Sequence, residues 1–271
     1  MKSNEVAVLM SLYKGDRLKF VIQSIQSILE QTYVDFDLYI YIDGVVDKPV
    51  YDYVNSLDDS RINILVSSFN SGLAFAMNSL LRIIRDRGYK YFFRMDADDI
   101  ALPNRFEKQI AFMESNVDID CAGCWAVEIQ EDGSDFFLKR MPQNHDQCLA
   151  LFRRRDCVIH PSVIFRYTYF EKVPFYPEDT YFGEDTMMWA MGFKAGCRFA
   201  NLPECLLKFR LDRNFFQRRR GWKHAKSILV LRMRVNKMLE FGLKENLYAI
   251  LYAIAKMMPT RLLSIIYRKL R

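Results

Sequence analysis

The sequence lacks several features that would place it in a simple class. No run of about 18 to 20 apolar residues, the length that crosses a bilayer, is present, because Lys256, Pro259 and Arg261 interrupt the most apolar C-terminal stretch. There is no repeat of fixed period and no low-complexity segment, so a repetitive architecture is not expected. The chain is instead rich in core-forming residues, since 51% of its 271 residues are hydrophobic and 14% are aromatic. This composition excludes intrinsic disorder and predicts one domain with an appendage.

The start of the chain, Met-Lys-Ser-Asn-Glu, also lacks the apolar core of a secretory signal peptide. The six cysteines are therefore expected to be reduced thiols in the cytosol rather than disulfides. Cys121 and Cys124 form a C-x-x-C pattern, but no second pair of cysteines or histidines follows at the spacing of a zinc site. The surrounding stretch is apolar, which favours packing over metal binding.

The net charge of +6 conceals two opposite parts of the chain. From residue 218 onward there are 14 basic residues and two acidic ones, a local charge of +12, which leaves −6 for residues 1–217. We therefore divide the chain into a domain of residues 1–215 and a basic, helical C-terminal segment of residues 216–271. In this segment apolar residues at helical spacing alternate with Arg218, Arg219, Arg220, Lys223, Lys226, Arg232, Arg234, Lys237, Lys256, Arg261, Arg268 and Arg271.

Such a basic amphipathic segment has three possible roles. Helices of this kind bind anionic membrane surfaces, with about 1 kcal/mol contributed by each well-placed cation. We therefore expect a cytoplasmic protein attached peripherally to the inner face of the cell membrane. The alternative is a helical cap on the first domain with a solvated basic face. Nucleic acid is not an expected partner, because no aromatic stacking platform or recognised binding motif accompanies the charge.

Strand and helix patterns alternate along the first 115 residues. In each unit a short apolar run ends in polar residues and is followed by apolar residues at helical spacing. Four such units predict a mostly parallel sheet covered by helices on both faces, with a ligand cleft beyond the carboxyl ends of the strands. The predicted strands are 6–12, 38–42, 62–66 and 91–95, and the predicted helices are 18–29, 50–57, 73–87 and one that begins near Pro103.

The pattern changes after Ser115. Residues 121–129 and 136–140 flank the turn sequence Gln130-Glu-Asp-Gly133-Ser and predict a hairpin. Further strands are predicted at 158–165 and 199–206, and a helix at 184–195. The predicted fold class is therefore α/β, with a mixed sheet flanked by helices and a basic helical C-terminal extension.

Three carboxylates follow the fourth predicted strand. Asp96, Asp98 and Asp99 repel one another unless a cation or a basic partner lies nearby, and hard oxygen ligands select Mg²⁺ or Mn²⁺. One interpretation is a metal that also contacts a substrate diphosphate, as in nucleotide-sugar binding. The other is a solvated acidic loop at the start of the helix near Pro103, since Asp is common there.

A set of motifs in a fixed order resembles the inverting family 2 glycosyltransferases, whose nucleotide-sugar-binding, Rossmann-like fold is called GT-A. The resemblance covers roughly residues 5–215, and it rests on the order and spacing of the motifs together. The motifs are Ser11-Leu-Tyr13, Ser24-Ile-Gln-Ser-Ile-Leu-Glu-Gln-Thr-Tyr33, Asp43-Gly44, Asn70-Ser-Gly72, Met95-Asp-Ala-Asp-Asp99, Pro103-Asn-Arg105-Phe106, His160-Pro-Ser162 and Gly183-Glu-Asp185.

For the donor, the resemblance implies that Ser11 and Tyr13 line the pocket of the nucleotide base. It implies that Asp43 accepts a hydrogen bond from the base, although Asp before Gly44 is also common in plain turns. The family often has a second Asp before this position and Gly-Ser after it, whereas this chain has Ile42 and Val45, so the base preference stays open. A UDP- or dTDP-linked sugar is the expected donor.

The resemblance also implies that Asn70 and Gly72 lie beside the donor, where the alternative is an ordinary strand-to-helix connection. It places Asp96 near the ribose and the metal, and Asp98 on the metal. Asp99 is expected to orient the loop or to contact the donor or acceptor sugar. The implied cofactor is Mn²⁺ or Mg²⁺.

Asp185 is the implied catalytic base, with Glu184 beside it at the acceptor. The alternative is that both are favourable charges in the first turn of a helix. His160 is expected near the donor sugar or the metal, or else as a wall histidine. Arg210 is a weaker candidate for contact with the diphosphate.

We therefore expect a metal-dependent hexosyltransferase that acts on a saccharide or polyprenyl-linked acceptor in surface polysaccharide biosynthesis. Two alternatives stay open. One is an inactive, membrane-associated assembly subunit with the same fold. The other is a sugar-nucleotide pyrophosphorylase, although Leu12-Tyr13-Lys14-Gly15 does not supply the glycine-rich phosphate loop of that class.

Overall fold

The computed structural model describes residues 5–180, 182–211 and 221–258. The predicted βα units form its first half. Apolar strands alternate with helices that bury one apolar face each, and short polar turns separate them. The elements are β1 (Val6–Leu12), α1 (Leu18–Leu29), β2 (Phe36–Asp43), α2 (Lys48–Asn55), β3 (Ile62–Ser67), α3 (Leu73–Ile84), β4 (Tyr91–Asp96), β5 (Ile100–Ala101) and α4 (Arg105–Ser115).

The second half completes a mixed sheet. Its elements are β6 (Cys121–Ile129), β7 (Asp135–Lys139), α5 (His145–Phe152), a short 3-10 helix (His160–Ser162), β8 (Ile164–Arg166), α6 (Tyr167–Lys172), α7 (Glu184–Lys194), β9 (Phe199–Arg210), α8 (Trp222–Met238) and α9 (Leu243–Ala255). The strand order is β3-β2-β1-β4-β8-β6-β9-β5, and β7 pairs with β6 at the side. β1 to β4 are parallel, whereas β8 is antiparallel to both of its neighbours.

The structure confirms the hairpin of β6 and β7 and corrects the strand predicted at 158–165. Pro161 cannot donate to a strand ladder, and the chain turns through the 3-10 helix before it pairs as β8 from Ile164. The predicted strand at 199–206 is also longer, because β9 continues to Arg210 beside β6. Helices α5 and α6 and the short strand β5 were not predicted.

The sheet separates two hydrophobic cores, and the C-x-x-C pattern straddles them. Cys121 packs in the core that contains Trp189, whereas Cys124 packs in the core that contains Phe106. The two thiols therefore lie on opposite faces of the sheet and cannot bind one metal ion together. All six cysteines are free.

Helices α8 and α9 form a hairpin that packs on the core through α8. Leu231 and Val235 of α8 are buried in the core that contains Trp189. Within the described ranges, none of the helices has the length and apolarity needed to cross a membrane. The cations at 218–220, 261, 268 and 271, which contribute to the predicted basic segment, lie outside the described residues.

Candidate active site

The polar ends of β1, β2 and β4 open into one large cavity. Register places Ser11 of β1 beside Asp96 of β4, so the parallel strands deliver their last residues to a common edge. The cavity has a volume of about 1420 Å³. Apart from Asp99, every site residue predicted from the sequence lines it: Ser11, Tyr13, Asp43, Asn70, Gly72, Asp96, Asp98, His160, Glu184 and Asp185.

The acidic cluster after β4 is compact. One carboxylate oxygen from each of Asp96, Asp98 and Asp99 lies within 4.8 Å of the others. Burial, followed by the charge of Asp96, raises the pKa of Asp98 to about 7, while Arg94 acts in the opposite direction. Burial likewise raises the pKa of Asp99 well above its usual value. Burial and the neighbouring carboxylates therefore both disfavour the ionised forms of Asp98 and Asp99.

Arg94 supplies part of the missing positive charge. Its guanidinium is 3% exposed and pairs with Asp96, while its Nε and Nη1 atoms are buried without a hydrogen-bond partner. Sequence reasoning missed this residue. A charged residue inside the apolar strand Tyr91-Phe-Phe-Arg-Met95 was a usable signal, because a buried charge requires a partner.

Asp99 and Arg210 hold the acidic loop in place. Asp99 is fully buried, and its Oδ1 accepts a 2.7 Å hydrogen bond from the backbone N–H of Arg210. The Arg210 Nε donates to the carbonyl of Asp98 at 2.8 Å, and the guanidinium stacks 4.1 Å from the Phe20 ring centroid. Asp99 is thus placed to orient the loop rather than to contact a sugar, and Arg210 braces the loop from the cavity wall.

The cluster fits a hard divalent cation. Its donors are carboxylate oxygens, which Mg²⁺ and Mn²⁺ prefer, and the Oδ2 atom of Asp99 is buried with no partner. Asp98, which lines the cavity and has no basic side chain bound to it in the described structure, is the best-placed ligand, with Asp96 beside it. Asp16 also lines the cavity, and burial with the nearby charges of Asp98 and Asp96 raises its pKa to about 8.

Asp43 fastens the loop that follows β3. Its Oδ1 accepts a hydrogen bond from the Ser71 N–H at 2.8 Å, and its Oδ2 accepts one from the Gly72 N–H at 2.9 Å. The Asn70 amide donates to the Asp43 carbonyl at 3.0 Å. Asp43, Asn70 and Gly72, which were expected separately at the donor, are therefore one hydrogen-bonded unit. Gly44 makes this approach possible, because a Cβ there would lie 2.7 Å from the Asn70 nitrogen.

Glu184 and Asp185 begin helix α7 and line the same cavity. Gly183 caps the helix in the left-handed region at φ 82°, and the first turn then carries both acids, which the helix dipole favours. Oδ1 of Asp185 accepts a 2.8 Å hydrogen bond from the Thr186 N–H, and the Thr186 hydroxyl donates to Asp156 at 2.8 Å. The Asp185 side chain is thus oriented by its own helix.

His160 forms a wall of the cavity. Its Nε2 lies 3.0 Å from the Tyr176 hydroxyl, and its ring meets Trp189 edge-on. Burial, together with the charge of Arg94, holds the pKa of His160 well below its usual value. A neutral imidazole at this place suits hydrogen bonding rather than charge pairing.

Comparison with known proteins identifies the family of the chain. The family model "Glycosyl transferase family 2" matches residues 8–175, and the chain belongs to that family. The amylovoran biosynthesis glycosyltransferase AmsE of Erwinia amylovora is 29% identical over 269 residues, which cover 97% of this chain and 98% of that protein. A UDP-Gal:alpha-D-GlcNAc-diphosphoundecaprenol beta-1,3-galactosyltransferase of Escherichia coli is 28% identical, with coverage of 97% and 95%.

Solved structures support the fold assignment. The mannosyltransferase PcManGT of Pyrobaculum calidifontis, solved with GDP-Man and Mn²⁺, superposes with a TM-score of 0.63 at 13% identity. The match covers 98% of this chain and 80% of that one. The predicted GT-A-type mixed sheet with flanking helices is thereby confirmed.

Proposed function

We propose that this protein transfers a sugar, with inversion of the anomeric carbon, from a nucleoside-diphosphate sugar to a saccharide or polyprenyl-linked acceptor. One observation carries the proposal. Asp96 and Asp98 of the acidic cluster and Asp185 at the start of α7 line the same cavity. A leaving diphosphate at the first and an acceptor hydroxyl at the second would flank the sugar from opposite sides.

The reaction needs one base and one site that stabilises the leaving group. Asp185 accepts the proton of the acceptor hydroxyl as its oxygen forms a bond to the anomeric carbon, and the bond from that carbon to the diphosphate oxygen breaks. The electron pair of the broken bond stays on the nucleoside diphosphate. Glu184, in the same helical turn, would hydrogen-bond the acceptor. Asp98 and Asp96 would hold Mn²⁺ or Mg²⁺, which stabilises the negative charge on the leaving diphosphate.

The nucleotide end of the donor would occupy the edge formed by β1 and β2. Ser11 and Tyr13 border this part of the cavity, and Asp43 with its bound loop forms the neighbouring wall. Each carboxylate oxygen of Asp43 accepts one backbone N–H, which leaves a second lone pair on each for a base N–H. A UDP- or dTDP-linked sugar fits this chemistry, and the UDP-Gal named for the Escherichia coli relative supports it.

The proposed setting is surface polysaccharide biosynthesis at the inner face of the cell membrane. The names of the two relatives, an amylovoran biosynthesis enzyme and an enzyme acting on a diphosphoundecaprenol-linked sugar, support this setting. Residues 1–215 would carry the chemistry. Residues 216–271 would attach the protein to anionic lipid through their basic and apolar faces.

A screen of nucleotide sugars for slow hydrolysis in the presence of Mn²⁺ or Mg²⁺ tests the proposal without knowledge of the acceptor. We expect one donor to be hydrolysed and EDTA to stop the reaction. Asp98→Asn should abolish the hydrolysis, and Asp185→Asn should lower sugar transfer by about 10² to 10⁴-fold. Asp118→Asn, a change in an exposed ion pair with Arg198, is the control and should leave both activities unchanged.

Two results would contradict the proposal. Unchanged transfer in both the Asp98→Asn and Asp185→Asn proteins would exclude these residues from catalysis. Complementation of a chromosomal deletion by both variants, with no turnover in the purified proteins, would instead identify an assembly subunit that keeps the fold. Release of pyrophosphate from a nucleoside triphosphate and a sugar phosphate would identify a pyrophosphorylase.

A further inference from the structure

The cavity that contains the acidic residues after β4 is also lined by cations. These are Arg154 and Arg155, which follow α5, and Lys256 just after α9. Tyr248 and Tyr252 of α9 complete this wall. We call these five residues the cationic end of the cavity. Its charge suits an anion.

The three consecutive arginines after α5 do not share one role. Arg153 donates to Glu245 at 3.0 Å and stacks 4.5 Å from the ring centroid of Phe241, so it fastens α9 to the domain. Arg154 and Arg155 line the cavity instead, near Tyr248, whose pKa is raised by burial and lowered by their charges. Both residues are exposed.

Lys256 is an unusual residue for such a position, because it is only 8% exposed. Its Nζ lies 4.9 Å from the centroid of the Tyr252 ring, and that ring stacks on Tyr248 with centroids 6.1 Å apart and planes 11° apart. No carboxylate among the described residues forms an ion pair with Lys256. A buried ammonium needs compensation, which an anion in the cavity would supply.

The cationic end opens beside an apolar helix face. Leu251 both lines the cavity and is 56% exposed, so it marks the rim. From the rim the exposed face of α9 continues along the helix at intervals of three and four residues. This face consists of Leu243, Leu247, Ile250, Leu251, Ile254 and, two residues beyond the end of the helix, Met257.

Chain connectivity brings the cationic end close to the proposed base. Arg155 is followed by Asp156, whose Oδ1 accepts the 2.8 Å hydrogen bond from Thr186, the residue after Asp185. Asp156 is the acidic residue closest in sequence to Arg154 and Arg155, and this bond occupies one of its two carboxylate oxygens. A ligand held by Arg155 therefore sits beside the residues that orient the base.

From these contacts we infer that the cationic end binds the diphosphate of an isoprenoid-linked acceptor, an assignment that rests on the proposed function. Arg154 and Arg155 offer planar guanidinium groups to the phosphate oxygens, and Lys256 offers a point charge. The stacked rings of Tyr248 and Tyr252 form a flat wall for the attached sugar. The isoprenoid chain leaves across Leu251 onto the apolar face of α9.

Farnesyl diphosphate is a soluble probe for this site. Its binding would be measured by calorimetry on the full-length protein with excess UDP and Mn²⁺, so that the donor site is filled. The Arg154→Gln/Arg155→Gln protein should bind the probe about tenfold or more weakly, as expected for the loss of charge-assisted hydrogen bonds. Lys237→Gln/Lys244→Gln removes two exposed cations that do not line the cavity and should bind it like the wild type.

Further probes separate the parts of the site. Farnesol should show no difference between the wild type and the double arginine variant, because it has no phosphate. Leu251→Ser should weaken binding of farnesyl diphosphate but not of inorganic pyrophosphate. Lys256→Met should bind farnesyl diphosphate as weakly as the arginine variant does, provided that its thermal unfolding is unchanged. If Lys256→Met fails to fold, the arginine variant still tests the inference, because Arg154 and Arg155 are exposed.

Three outcomes would overturn the inference. If the arginine variant binds farnesyl diphosphate normally but loses binding to phosphatidylglycerol vesicles, the cations contact lipid headgroups. If it loses metal-dependent hydrolysis of the nucleotide sugar, the cations serve the donor diphosphate. If farnesol and farnesyl diphosphate bind equally well, no diphosphate site exists. Failure of the proposed function is distinct, since it would appear as absent donor hydrolysis in the wild-type protein.

Discussion

The backbone N–H of Arg210 donates a 2.7 Å hydrogen bond to Oδ1 of Asp99, although 111 positions separate the two residues. The bond joins the last residue of β9 to the acidic loop after β4. The side chain of Arg210 strengthens the junction through its bond to the Asp98 carbonyl. The position of the carboxylates that we propose as metal ligands is therefore set by the end of β9 as well as by their own strand.

The Asp99–Arg210 bond predicts the stability of two variants. Asp99→Ala should lower the free energy of unfolding by about 1–3 kcal/mol, because it leaves a buried N–H without an acceptor. Asp99→Asn retains an oxygen at that place and should lose less. Urea unfolding monitored by tryptophan fluorescence measures both changes, and equal losses would show that the hydrogen bond does not stabilise the loop.

The Arg94–Asp96 pair predicts a metal-dependent effect. Arg94→Met should destabilise the metal-free protein by about 3 kcal/mol, since it leaves the Asp96 carboxylate next to Asp98 without its cation. Arg94→Lys retains the charge and should be milder. Thermal unfolding in EDTA and in Mn²⁺ measures the difference, and Mn²⁺ should stabilise Arg94→Met more than the wild type. Equal stabilisation of the two proteins by Mn²⁺ would contradict the idea that Arg94 and the metal ion both compensate the charge of Asp96.

The loop fastened by Asp43 predicts the behaviour of two glycine variants. Gly44 has a φ of 81°, and its added Cβ would lie 2.7 Å from the Asn70 nitrogen, whereas Gly133 has a φ of 90° and open space around it. Gly44→Ala should therefore weaken UDP binding about tenfold or more and lower stability, while Gly133→Ala should show only backbone strain of about 1–2 kcal/mol. Calorimetric titration with UDP measures the first effect. Equal UDP affinity in the two variants would show that the loop fastened by Asp43 does not contribute to UDP binding.

The apolar face of α9 predicts vesicle binding. Leu247→Ser/Ile254→Ser should weaken sedimentation with phosphatidylglycerol vesicles by about tenfold or more, because both side chains are exposed and apolar. Val66→Ser/Val117→Ser changes two exposed side chains elsewhere and serves as the control. Absence of binding by the wild-type protein would favour the helical cap instead, with the basic face in solvent.

The βα units could be predicted from sequence because each repeats a local pattern. The run at 6–12 and the helical spacing at 18–29 coincide with β1 and α1, since apolar periodicity alone determines them. The segment around His160 was harder. Its apolar residues are buried although they lie in a loop and a 3-10 helix. An apolar run indicates burial but not the backbone hydrogen bonds that distinguish a strand from a buried loop.

The candidate site was predictable where residues follow strand ends and less so where distant segments meet. Asp43 is the last residue of β2 and Asp98 comes two residues after β4, so their place in the cleft followed from topology. Arg154 and Tyr252 reach the same cavity from helices nearly a hundred residues apart, and no local pattern links them. The shared role of Asp43 and Asn70 was hidden for the same reason, because their hydrogen bond joins two different strand-to-helix connections.

The contact of Gly183 with Leu231 has a practical consequence for anyone who shortens the protein. A Cβ at Gly183 would lie 2.3 Å from the Leu231 Cδ2 atom, so α8 rests directly on the residue that precedes Glu184 and Asp185. A version trimmed of its C-terminal helices to improve yield would uncover the buried surface around Val235 and free the start of the acid-bearing helix. Such a trimmed enzyme is unsuited to assigning a role to the tail, because lost turnover would follow from the damaged scaffold alone.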